Sequence, residues 1–106
     1  MKNENLIELL PMKEALKLTQ ELDEMLKTKV VRFTFVYANR KHIRHAIGTR
    51  NFDYGVGTPN GMGTPNNNPK FWDMESKEWR CWRSLNILSI DEVLTEDQIN
   101  TLMVEE

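Results

Sequence analysis

The chain has 106 residues, a hydrophobic fraction of 40%, a charged fraction of 28% and a formal net charge of −2. That length holds one core and excludes a second independent domain. No apolar run approaches the roughly 18 residues of a membrane span, lone Cys81 excludes an internal disulfide, and His42 with His45 supply too few ligands for a zinc centre.

Residues 3–10 read as a separate turn or short helix leading to Pro11, which suits the first turn of a helix. Their apolar stretch, 6–10, is too short and wrongly flanked for a secretory signal, which points to the cytoplasm. From 12 to 26 the apolar positions Met12, Ala15, Leu16, Leu18, Leu22, Met25 and Leu26 make one helical stripe.

Residues 30–37 then alternate, with Val31, Phe33, Phe35 and Tyr37 on a core face. A polar break at Ala38, Asn39 and Arg40 separates them from a second alternating run at 41–49, so the pair reads as a hairpin. His42 and His45 point to opposite sides of that second strand.

Residues 50–69 are rich in Gly, Pro and Asn, and Gly57-Thr58-Pro59-Asn60 recurs as Gly63-Thr64-Pro65-Asn66, which reads as two successive turns. A loop of about 20 residues is uncommon in a small domain, and it is either an ordered binding loop or a mobile insertion. It lacks the lysine and spacing of a phosphate loop.

All three tryptophans fall within 71–83, together with Arg80 and Arg83. The segment reads as a hairpin whose second strand places Trp79, Cys81 and Arg83 on one face and Arg80, Trp82 and Ser84 on the other. A short strand follows at 86–90. Thr95-Glu96-Asp97-Gln98 is a capping box opening a last helix that runs to about 104.

Charge is strongly partitioned. Residues 27–84 carry 11 basic and 4 acidic side chains, whereas residues 85–106 carry 6 acidic and no basic ones. Such a basic middle either offers a surface to nucleotides or nucleic acid, or is neutralised by the acidic terminal helices folding back.

The motifs Phe33-Thr34, the Arg44 strand, Gly48-Thr49, Phe71-Trp72-Asp73 and Trp79-Arg80-Cys81-Trp82-Arg83 resemble the WYL-type family of SH3-like or Sm-like barrels in short phage and bacterial proteins. The resemblance covers residues 30–90. In the family the last strand reads Trp-Arg-Ser-Phe-Arg, so Trp79, Arg80 and Arg83 match while Cys81 and Trp82 stand where Ser and Phe are usual. The expected fold is therefore mainly β within an α+β chain: a five-stranded SH3-like barrel at 29–90, a helical extension at 1–28 and a helix at 95–104.

What the resemblance implies is a ligand-sensing or nucleic-acid-binding module of phage and host conflict. For a phage-encoded chain of this size, ligand sequestration in counter-defence suits it. The expected function is non-enzymatic binding of an anionic nucleotide or nucleic acid, with no cofactor, by Arg44, Arg50, Trp79, Arg80, Trp82 and Arg83. Paired guanidinium groups match phosphate, and indole faces stack on bases. Arg80 and Arg83 can equally pair with Asp73, Glu75 or Glu78, and at least one tryptophan is needed in the core. Cys81 reads as a small hydrophobe, His45 as strand filling. The alternative is a homo-oligomeric assembly module, joined at edge strands or through Leu18 and Leu22 of the first helix. No carboxylate set makes a recognisable acid and base pair.

Overall fold

The computed structural model of the chain describes residues 6–37, 39–57 and 68–104. Pro11 precedes α1 (Met12–Leu26), which has the bounds its apolar spacing predicts. Ala15, Thr19, Leu22 and Leu26 form its buried stripe, while Met12 and Leu16 stay exposed. Leu22 is thus a core residue and does not form an outward contact. Residues 6–10 are irregular chain, not the expected turn or short helix, because Ile7 pairs with Arg40 far along the sequence. Residues 3–5 lie outside the described residues, as do the two expected turns at 57–60 and 63–66 beyond Gly57.

Five strands follow: β1 (Val31–Tyr37), β2 (His42–Thr49), β3 (Lys70–Asp73), β4 (Glu78–Cys81) and β5 (Ile87–Val93), and then α2 (Glu96–Val104). They form one antiparallel sheet in the order β4-β3-β2-β1-β5. The last strand runs past the expected 86–90, since Arg32 pairs with Glu92 and Val31 with Val93 beyond irregularities in the register. The capping box forms as the sequence predicts. Gln98 N donates to Thr95 Oγ1 at 3.2 Å, and Thr95 N to Gln98 Oε1 at 2.8 Å.

Two hydrophobic clusters divide the core. One joins Phe33, Phe35, Phe71, Trp82 and Ile87 to Leu22 and Leu26 of α1; the other joins Val30, Ile47 and Met74 to Leu94 and to Ile99 of α2. In β1, Thr34 and Val36 are buried along with Phe33 and Phe35, in place of the one-faced alternation expected, and Tyr37, expected on the core face, is exposed at the end of the strand. Phe33 meets Phe71 edge-on, with ring centroids 5.0 Å apart and planes at 80°, a favoured aromatic geometry. Gly48 makes room for that ring, because a Cβ there would lie 2.5 Å from Phe71 Cδ2.

The barrel is not closed. β4 and β5 are the edges of the sheet, and no ladder joins them among the described residues. The second strand of the aromatic hairpin also ends at Cys81, so Trp82 and Arg83 leave the expected alternation. Trp82 N donates to Pro69 O at 3.1 Å, and a 3-10 turn at Ser84–Asn86 carries the chain across to β5. Thr19 of α1 stitches this crossing in place: its Oγ1 donates to Ser84 O at 2.8 Å and accepts from Trp82 Nε1 at 3.3 Å. No helix among the described residues is long and apolar enough to cross a membrane.

Candidate functional site

Asp73 closes β3 with its side chain almost wholly buried. A carboxylate there needs partners for both oxygens. Oδ1 accepts from Glu75 N at 2.9 Å and Ser76 N at 3.0 Å, which builds the hairpin turn. Oδ2 accepts from Arg80 Nε at 3.1 Å and has Arg44 Nη2 at 3.6 Å. Arg80 also reaches Glu78, Nη2 to Oε2 at 2.7 Å. Arg44 and Arg80 thus converge, but on carboxylates of their own sheet. Arg50 is committed as well: it pairs with Asp23 of α1 at 2.9 Å and donates to the carbonyls of Asp23 and Lys70.

The tryptophans separate in the same way. Trp72 and Trp79 pack edge to face across β3 and β4, with centroids 5.8 Å apart, and Trp79 Nε1 donates to Gly57 O at 3.2 Å. Trp82 is 2% exposed within the aromatic core. The six residues expected to bind ligand therefore do not form one site.

Arg83 is the exception among the predicted arginines. It is exposed, and its side chain has no ion pair or hydrogen bond among the described residues. It borders an open recess of about 600 Å³ at the end of the sheet, walled by Phe35 and Trp82 and edged by Tyr37, Arg40 and Cys81. Three amide side chains, Asn39, Asn68 and Asn86, also lie on the rim, and no acidic residue lines it among the described residues. Asn86 Nδ2 donates to Val36 O at 3.0 Å, which fixes the orientation of that amide. The recess therefore joins aromatic wall, amide groups and two cationic forks, with no carboxylate among its described lining residues.

Arg40 reaches the recess from the turn between β1 and β2, where Asn39 and Arg40 both have positive φ, 59° and 68°. The left-handed region costs a side-chain-bearing residue about 1–2 kcal/mol, and Asn tolerates it better than Arg. Arg40 is held there by Ile7. Ile7 N donates to Arg40 O at 2.9 Å, and Ile7 O accepts from Arg40 Nε at 3.0 Å and Nη2 at 2.9 Å. In the sequence Arg40 belongs to a polar break. The signal available was an arginine beside Asn39 in a tight turn, but the partner 33 positions away is invisible to local pattern.

A second polar cluster crosses β2, β1 and β5. Thr34 Oγ1 donates to Asp91 Oδ2 at 2.6 Å and lies 3.0 Å from His45 Nδ1, while Ser89 donates to the other oxygen of Asp91. Because the Thr34 proton is used on Asp91, His45 donates from Nδ1, so the histidine has a bonding role beyond filling the strand. Further along β5, hydrogen bonds from Gln98 and then from Arg32 hold the Glu92 carboxyl below its ordinary value of 4.5.

A five-stranded antiparallel sheet curled over an aromatic core, with a helix before it and a short one after, defines a small SH3-like domain of the Sm type. The family model described as WYL_2, Sm-like SH3 beta-barrel fold, matches residues 19–88, and the chain belongs to that family. The match begins inside α1 and not at residue 30, which agrees with Thr19, Leu22 and Leu26 being part of the core. No curated protein and no solved structure gave a significant match.

Proposed function

We propose that the chain is a non-enzymatic binder of a phosphate-bearing ligand, a nucleotide or a nucleic acid, and that the ligand enters the recess beside Arg83 and Arg40. The observation that carries this reading is the charge of that rim: two guanidinium groups on a recess with no acidic lining residue among those described. Its volume lies within the usual range for a site that takes a small organic ligand or one unit of a polymer. Aromatic walls and amide edges suit a base, and the guanidinium forks suit phosphate. Arg44, Arg50 and Arg80 act under this reading as fold residues, because carboxylates already satisfy their charge. Sequestration of such a ligand by a phage-encoded chain is the biological setting that this reading fits.

The test is titration with ATP and, separately, with labelled oligothymidylate over a salt series. Binding of the oligomer should weaken as salt rises, and Arg83→Ala should weaken it about tenfold and lower the salt slope by about 0.7. Affinity for neither probe, or affinity unchanged in Arg83→Ala, refutes the proposal. The two probes separate a free nucleotide from a strand.

A second reading, assembly into a homo-oligomer, is favoured by the exposed edges of the sheet at β4 and β5. Light scattering that finds only monomer at high concentration would remove it.

A further inference from the structure

We infer that Ile7 is a positioning residue: its backbone holds Arg40 at the recess in a form that is oriented yet still fully charged. The inference rests on the ligand reading above. The arginines differ in the kind of partner each has. Arg50 and Arg80 are held by carboxylates, and Arg44 has one within ion-pair distance. Arg40 is held by a neutral carbonyl, which takes Nε and Nη2 from one edge of the fork. A carbonyl fixes direction without cancelling charge. Among the described residues the Nη1 group has no partner, so the remaining end of the guanidinium is available to an anion in the recess that Arg40 lines.

The reciprocal bond from Ile7 N to Arg40 O matters as much, because it ties down the backbone of a residue in left-handed conformation. Without it the turn has reason to relax towards ordinary φ, and the side chain would leave with it. Ile7 lies outside the stretch that matches the family model, whereas Arg40 lies inside it.

The clasp depends on the Ile7 backbone, and two substitutions separate backbone from side chain. Ile7→Pro removes the N–H, while Ile7→Ala keeps both backbone groups. In the full chain, Ile7→Pro should weaken oligothymidylate binding about fivefold and flatten its salt dependence, and Ile7→Ala should leave both unchanged. Exchange of the Arg40 Nε proton, followed by NMR, should be slow in the parent chain and in Ile7→Ala, and fast in Ile7→Pro. If Ile7→Pro binds like the parent while Arg83→Ala does not, the clasp has no role in binding and the inference is overturned, with the ligand reading intact. If the parent binds nothing but the proton exchange changes as described, the ligand reading fails and the clasp survives only as a structural bond. Equal exchange in all three chains removes the clasp itself.

Discussion

Two groups of arginines in this small domain differ in what meets them. Around Asp73, Arg44 and Arg80 gather on a carboxylate that is also building a turn. At the recess, Arg40 meets a carbonyl and Arg83 has no side-chain partner among the described residues. The same side chain therefore serves as part of the scaffold in one place and as an open cation in the other. Proximity in sequence does not sort them: Arg80 and Arg83 are three residues apart, yet the end of β4 at Cys81 divides their fates.

The strongest way to break this contrast is Asp73→Ala. It leaves two guanidinium groups and two turn N–H groups without their common acceptor. Breaking a buried pair costs roughly 3–5 kcal/mol, and since both arginines are about a third exposed and can turn to water, about 3 kcal/mol is expected in urea unfolding. A loss under about 0.5 kcal/mol, the range of ordinary surface changes, would mean that the cluster is ornamental.

A paired measurement sharpens the contrast. Arg80→Ala should lower stability by about 1 kcal/mol and leave oligothymidylate affinity alone, whereas Arg83→Ala should do the reverse, shifting stability by no more than about 0.5 kcal/mol. Matching effects of the two substitutions on both readouts would erase the distinction.

The smallest effect concerns pH. Hydrogen bonds in the folded chain favour the ionised form of Glu92, so its contribution to stability is complete above its ordinary value of 4.5 and disappears as pH falls through its lowered folded value. Glu92→Gln should slightly flatten the acid limb of a stability profile. Salt should diminish the difference, since the group is exposed. An identical acid limb in both chains would assign that limb to other carboxylates.

Much of the fold was legible because its signals are local. The apolar spacing from Met12 to Leu26 and the Thr95–Gln98 box each set a helix within a few residues of chain. Alternation likewise marked β1 and β2 as a hairpin. The site was less legible, because it depends on which distant group each polar side chain meets. Trp82 looked like an alternating strand residue, but the chain turns after Cys81 and drives its ring into the core beside Phe33. Arg50 was expected at the ligand, but α1 brings Asp23 to it, the neutralisation by a terminal helix that the charge pattern equally allowed. Arg40 looked like turn filling, and only the folded path of residues 6–10 shows its bond to Ile7. Closure of the barrel was overstated for a related reason: five alternating segments establish strands, but not whether the outer two meet.

The division of the indoles also gives the molecule an optical use. Trp82 forms part of the recess wall in a dry setting, whereas Trp72 and Trp79 sit together on the hairpin beside Gly57. Emission from the first would respond to an occupant, and emission from the coupled pair to the state of the hairpin. Replacing Trp72 and Trp79 with phenylalanine would leave a chain whose own light reports occupancy, and replacing Trp82 one whose light reports the hairpin, in neither case with an attached dye.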